Sequence, residues 1–557
     1  MGPRNTPPDS APVNKVGAFM RRHAGVIPAI LVALAFFVVG LLTLEDYGIT
    51  WDEEESYRAG MANLHLIGNA LRGESVVWPW HELYGYQFLF DTFRSAVALG
   101  LNHWLWKPGA IYGFHLFNLL LATAILLLVF LIGRKVSGEP ATGWLAAAVL
   151  ALHPKFVAHS QANPKDLIGV FVITLCVWLM ERAARSRGWR PLIALGAGLG
   201  FALANHIASL VLYPLAGLWL LLANGVKQAG SFLRVAVVWL VSLPVAFLCW
   251  PWLWADPGHR ILNIIAHIRM FSPSLHVLYL GRIYDPHSVP WHYSLVSFVV
   301  ATPLLLIGAM AAGTVRFTEK TPEIRRLVVL ALLWAGFVFG SEAAGSAHYD
   351  GVRHVLAALP ALALLAGAGL SWTGRGLWRL VRDRHYGLAA GFAVVLVGAL
   401  SHTLIQLAAL HPYHDAYLNE AVRAAVGPRA EDTFELEYWG FTYQEASKWL
   451  NANAPQGAVI SIPMAVHAMA PWLRRDLRPF EGVQLRPSYT RPYYLVVMTR
   501  RAIYGAEVKE VRGALRPVFT IDRQGSTLLE IYRLDTSPIR QGKLDRSETK
   551  PFKWQLG

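Results

Sequence analysis

Long apolar runs, separated by short polar ones, dominate the chain up to about residue 410. About 20 apolar residues cross a bilayer as a helix, and the spacing predicts about eleven such spans. They fall near 25–44, 111–132, 141–157, 166–182, 191–205, 207–223, 235–252, 292–313, 327–343, 354–372 and 388–410. The fifth and sixth are short and meet at "NHIAS", so that pair reads either as two full spans or as a re-entrant hairpin.

Beyond residue 410 the pattern changes. A polar helical stretch, "TYQEASKWLNANAP", is followed by short β-like runs, "GAVISIP", "YYLVVMT" and "LLEIYRL". This predicts a small α/β domain over 411–557. The expected fold class is therefore an α-helical polytopic membrane protein of about eleven spans with a small C-terminal α/β domain. Three regions follow: a disordered, Pro-rich tail at 1–24, a membrane domain at 25–410 with a long first outer loop at 45–110, and the C-terminal domain.

Charge orients the helices. The loops "RKVSGEP", "ERAARSRGWR", "KQAGSFLR", "RFTEKTPEIRR" and "RGLWRLVRDRHYG" all fall on one side, together with the N-terminal "MRRHAG". Lys and Arg gather on the cytoplasmic side of membrane proteins, so the other side is the outer face. An odd number of spans sends the C-terminal domain there, as expected for a multi-pass protein of a bacterial inner membrane. The first apolar run carries no cleavage signal and reads as an anchor.

Composition agrees. Hydrophobic residues make up 54% of the 557 and charged residues only 15%, against roughly a quarter charged in soluble domains. The formal charge of +14 is accounted for by the cytoplasmic loops, and nucleic acid is not an expected partner. The two cysteines, Cys176 and Cys249, lie in predicted spans, which argues against a disulfide framework or a cysteine metal site.

The candidate chemistry collects in the outer loops. "GITWDEEESY" (residues 48–57) places Asp52, Glu53, Glu54 and Glu55 beyond the first span, between the interfacial rings Trp51 and Tyr57. Partial desolvation there is expected to raise carboxylate pKa values and basicity. If the stretch is helical, Asp52 shares a face with Glu55 and Ser56, and Glu53 points about 100° away. "NPKD" brings Lys165 and Asp166 to the start of the fourth span, and "HYDGVRH" brings His348, Asp350, Arg353 and His354 to the start of the tenth. A carboxylate can take a proton from an alcohol, and an Arg fork suits a phosphate. Set against this, an acidic run is ordinarily a solvated loop, and an Arg at a span end ordinarily an anchor at the headgroups. His153, His159, His206, His267, His276, His287 and His292 gather on the same side without a chelating spacing. "WPWLWADPGHR" reads first as an aromatic belt.

These motifs, in this order, resemble those of the C-type membrane glycosyltransferases. "DYGITWDEEESY" is similar to their first-loop Asp-Glu motif, "NPKD" to their second acidic motif, and "VRHVLAALPALALLAG" to an Arg-containing helix start found in bacterial members. Those members include relatives of protein O-mannosyltransferases, aminoarabinose–lipid A transferases and rhizobial galacturonic acid transferases. "HPYHDAYLNEAV" and "FELEYWGFTYQEASKWL" resemble a stretch of bacterial members of unassigned specificity. The resemblance implies a polyprenyl-phosphate sugar as donor and a glycan, lipid or protein hydroxyl as acceptor, with inversion at the anomeric carbon. It implies Asp52 as general base, Glu53 as the accompanying acid, Asp166 as the second-loop acid and Arg353 beside the donor phosphate. Lys165, Arg58 and His354 are further phosphate candidates. No cofactor is required by it; a divalent cation held by Asp52, Glu53 and Asp166 is left open. The competing classes are a lipid or sugar transporter, which would carry charges deep in its spans, and a non-catalytic envelope assembly protein.

Overall fold

The computed structural model describes residues 25–75, 87–105, 109–225, 228–270, 273, 275–344, 347–485 and 490–535. The tail at 1–24, the end of the chain and part of the first outer loop lie outside the described residues. Among the described residues, seven helices are long and apolar enough to cross a membrane: Tyr112–Ser137, Asp166–Ala184, Ile207–Asn224, Gly230–Cys249, Pro322–Ala343, Arg353–Arg382 and Tyr386–Leu410. Two bent pairs raise this to nine, and Val26–Leu42 is a shorter apolar helix. Every one of the eleven expected windows holds a helix or a helix pair.

The differences have local causes. The third window breaks by 69° between Pro140–Ala151 and Pro154–Ala162. Pro154 holds His153 extended (φ −78°, ψ 119°), as a residue before proline must be. The eighth breaks by 114° between Tyr293–Val300 and the helix from Leu304, where Pro303 sits. The sequence points to the join at residues 205–209 as the irregular place, and there His206 is extended, but the sharply bent pairs are these two. The helix Pro154–Ala162 buries Lys155, His159, Ser160 and Gln161. Polar groups at that depth are tolerated because they face protein rather than lipid.

Among the described residues, the first outer loop contains two helices that apolar-window reading does not find, Glu53–Leu71 and Phe88–Leu105. A third, Pro257–Met270, follows the tryptophan-rich stretch. There Arg260 stacks on Trp252 at 4.8 Å.

The C-terminal region is α/β, as expected. Its five-stranded sheet runs in the order β4–β3–β5–β7–β6, with β3 (Val459–Ile462) parallel to β4 (Arg478–Glu481) and β5 (Tyr493–Met498), and β7 (Ser526–Arg533) antiparallel to β5 and β6 (Phe519–Arg523). The helix Thr442–Asn453 packs on it through Tyr443, Ala446 and Leu450. A hairpin, β1 (Val277–Tyr279) and β2 (Arg282–Tyr284), lies apart in sequence and bridges to Phe434. The sheet's core does not stop at the domain boundary: Tyr47, Ile49, Ala162 and Val300 of the membrane region belong to the same buried cluster.

Candidate active site

Three loops from distant parts of the chain meet at one end of the helical bundle. Asp52 precedes the helix Glu53–Leu71, whose first turn holds three glutamates; acids are favoured at a helix start. Asp52 is only 8% exposed. Glu53 turns the other way. Its Oε2 accepts from the Thr50 amide at 2.7 Å, and its Oε1 lies 3.0 Å from His115 Nε2. The two neighbouring acids thus face different surroundings.

The "NPKD" loop is an Asx turn. Asn163 Oδ1 accepts from the amides of Lys165 (3.1 Å) and Asp166 (2.9 Å), and its Nδ2 donates to Asp166 Oδ2 at 3.0 Å. From beneath, Arg94 Nη2 donates to the Pro164 carbonyl at 2.6 Å and Gln87 Nε2 to the Lys165 carbonyl at 3.1 Å. Arg94 is wholly buried over Phe114 and Phe117.

The third loop turns at Asp350 and Gly351, with φ of +53° and +61°. Gly351 donates its amide to Tyr293 Oη at 2.8 Å. The turn delivers Arg353, whose guanidinium is shared among three carboxylates. Nε donates to Asp166 Oδ2 at 2.7 Å, Nη1 to Asp350 Oδ2 at 3.1 Å, and Nη2 to Asp52 Oδ2. Lys165 Nζ bridges Asp52 Oδ1 at 3.4 Å and Glu55 Oε2 at 2.6 Å. Asp52, Asp166, Lys165 and Arg353 are therefore one connected group.

Not every candidate joins it. Arg58 pairs with Glu54 and is 62% exposed. His354 Nδ1 donates to Glu342 Oε1 at 3.1 Å, and His348 Nδ1 does so at 3.4 Å. His354 thus follows Arg353 in the same helical segment but faces Glu342. The three carboxylates named as cation ligands do not converge, because Glu53 leaves the group, and Arg353 lies between Asp52 and Asp166. Among the described residues no group of three His, Cys, Asp or Glu is arranged to hold a metal. His153, His159 and His292 are engaged with Thr302, Asn163 and Tyr279.

The electrostatics correct one expectation. Burial pushes the Asp52 carboxyl up, but Arg353 and Lys165 outweigh it and hold the pKa below the ordinary range. Lys165 moves the opposite way: burial lowers it, and Asp52 and Glu55 raise it above its usual value. Asp52 is thus a paired carboxylate and a weak base.

The C-terminal domain supplies parts that motif reading missed. Trp439 lies under the Arg353 guanidinium at 4.7 Å, and its carbonyl accepts from the Trp51 amide at 3.1 Å. Arg500 Nη2 donates to Asp350 Oδ1 at 2.5 Å. His467 Nε2 donates to the Trp51 carbonyl at 3.0 Å. "EYWG" stands out in the sequence as a motif without a role; Arg500, 150 residues from its partner, carries no local signal.

Residues 110–254 match the family model described as dolichyl-phosphate-mannose-protein mannosyltransferase. The stretch includes "NPKD" but neither Asp52 nor Arg353. No curated protein matches the chain. Among solved structures, ArnT from Cupriavidus metallidurans bound to undecaprenyl phosphate aligns at 13% identity and a TM-score of 0.49, over 94% of this chain and 100% of that one. The Archaeoglobus fulgidus oligosaccharyltransferase in its apo form aligns at 12% and 0.44, over 84% of this chain and 69% of that one. The arabinofuranosyltransferase AftD from Mycobacteria aligns at 15% and 0.41, over 91% of this chain and 40% of that one. Over residues 110–254 the chain thus resembles the dolichyl-phosphate-mannose-protein mannosyltransferases.

Proposed function

We propose that the protein transfers a sugar from a polyprenyl-phosphate donor to an acceptor hydroxyl at the outer membrane surface. The observation that carries this reading is the Arg353 guanidinium, held between Asp52 and Asp166 at one end of an apolar helical bundle. A proton acceptor and a phosphate-binding fork are thereby adjacent. The matched family model, named for a dolichyl-phosphate sugar donor, supports the same donor class.

In the reaction the acceptor oxygen forms a bond to the anomeric carbon while the carbon–oxygen bond to phosphate breaks. The acceptor proton passes to Asp52. The leaving phosphate gains a negative charge, which Arg353 and Lys165 stabilise more strongly in the transition state than in the ground state. Attack opposite the leaving group inverts the anomeric configuration. Asp166 holds Arg353 in register. The paired Asp52 becomes a stronger base when phosphate draws Arg353 away, so base activation follows donor binding. The outer face follows from the distribution of Lys and Arg among the loops.

The test compares envelope glycans and polyprenyl-phosphate sugars by mass spectrometry in cells with and without the gene, and with Asp52→Asn. Loss of one sugar from one acceptor on deletion and in Asp52→Asn, with its lipid donor accumulating, is expected. Normal glycans in a well-expressed Asp52→Asn strain would refute the assignment and favour a transporter or assembly role.

A further inference from the structure

We infer that Arg500 of the C-terminal domain is a positioning residue for Arg353, acting through Asp350, so that the C-terminal domain completes the donor-phosphate site. The inference rests on the donor site proposed above.

Arg500 is 2% exposed. Burying a guanidinium is costly unless its charge is met. The partner it finds is in the membrane domain: Nη2 donates to Asp350 Oδ1 at 2.5 Å, while Nε lies 3.6 Å from Glu435 Oε1. Asp350 then offers its other oxygen, Oδ2, to Arg353 Nη1. One carboxylate links the two arginines, and each oxygen has its own cation.

The backbone makes that link consequential. Asp350 has a φ of +53°, a conformation that costs a non-glycine residue free energy and persists only when its surroundings hold it. The holders are the Arg500 contact, the bond from the Gly351 amide to Tyr293, and the bond from the Arg353 amide to the Asp350 carbonyl at 3.2 Å. Arg353 leaves this turn directly. Trp439, also from the C-terminal domain, supports the face of the same guanidinium. Without Arg500, Asp350 is free to rotate away and Arg353 loses the partner that sets its plane. A bond that only fastened the domains together would lower thermal stability and leave phosphate affinity alone.

The experiment measures undecaprenyl phosphate affinity and thermal midpoint for the full-length protein in lipid nanodiscs. Arg353→Met is expected to abolish binding; wild-type affinity there would sink the donor site itself, a separate failure. Arg500→Met and Asp350→Asn are each expected to weaken binding by roughly tenfold, the order of coupling within one ion-pair network. The double variant is expected to bind no worse than Asp350→Asn alone. Arg500→Lys, which keeps the charge and loses the fork, should fall between wild type and Arg500→Met. Gln444→Ala removes a different interdomain bond, to the Glu45 carbonyl, and should bind as wild type. Folded Arg500→Met or Arg500→Lys with wild-type affinity overturns the inference, and so does a double variant in which the two losses multiply. Should Arg500→Met fail to fold, Arg500→Lys and Asp350→Asn decide, and wild-type affinity in either overturns it.

Discussion

Arg353 is bonded to the carboxylate proposed to accept the acceptor's proton, and this pairing has a signature in pH dependence. In the proposed reaction, activity requires ionised Asp52. In the free protein its pKa is held low by Arg353 and Lys165, below the ordinary value of about 4. In the proposed donor complex the phosphate would share Arg353 and that depression would be partly lost. The acid limb of kcat is therefore expected at higher pH than that of kcat/KM, since the first reports the complex and the second the free enzyme. Coincident limbs would mean that Arg353 does not transfer. A depressed carboxylate pKa contributes stability above its unfolded value, lost as pH falls through the folded one. The thermal midpoint of Asp52→Asn should accordingly fall less steeply below pH of about 4 than that of the wild type. Asp52→Asn should also lower kcat by about 10²–10⁴-fold with undecaprenyl phosphate affinity kept within a few-fold. At this scale the grouping of the residues was legible in part. Asp52, Lys165, Asp166 and Arg353 stand in short motifs at predicted span starts. The direction of the Asp52 shift was not, because it depends on two cations more than 100 residues away.

Elements explain why the site has its shape. Apolar windows locate membrane helices because lipid demands long hydrophobic runs. They pass over Glu53–Leu71 and Phe88–Leu105, although polar groups there face inward: Arg94 on the second helix and Gln87 just before it hold the "NPKD" carbonyls from below. The breaks at His153–Pro154 and Thr302–Pro303 were legible in principle, since each follows from a proline inside an apolar run. Close helix crossing is set by small residues. A Cβ on Gly313 would lie 1.8 Å from the Leu365 carbonyl oxygen, and one on Gly369 would lie 2.0 Å from that of Ala309. The helices Leu304–Val315 and Leu359–Arg382 therefore touch backbone to backbone, and the second continues directly from the Arg353 turn. Gly369→Val should force them apart at a cost of about 1–3 kcal/mol, read as a lowered thermal midpoint. Gly336 has nothing within 4 Å of its would-be Cβ, so Gly336→Ala should be neutral or slightly stabilising. Equal effects of the two substitutions would contradict this packing.

At the scale of the whole molecule, the two regions share one core. Tyr47, Ile49, Ala162 and Val300 pack with the C-terminal sheet and its helix, and a cavity of about 30 Å³ behind the Asp350–Gly351 turn is lined from both regions, by Lys155 and Tyr293 on one side and Asp415, Glu435 and Tyr438 on the other. This continuity was not legible in the sequence, where the change of pattern near residue 410 reads as a boundary. It makes sidedness decisive: the C-terminal domain and Asp52 must lie on the same side of the membrane, opposite the basic loops. Single cysteines test this in a background lacking Cys176 and Cys249, with a membrane-impermeant maleimide applied to intact cells whose outer barrier has been opened. Lys509, exposed on the helix Ala506–Ala514, and Lys320, exposed before the helix Pro322–Ala343, are suitable reporters. Lys509→Cys should label without lysis and Lys320→Cys only after it. The reverse pattern would put Asp52 on the nucleotide-rich side, where a lipid-activated donor has no advantage over a soluble one. Labelling of both before lysis would break the alternation on which the orientation depends.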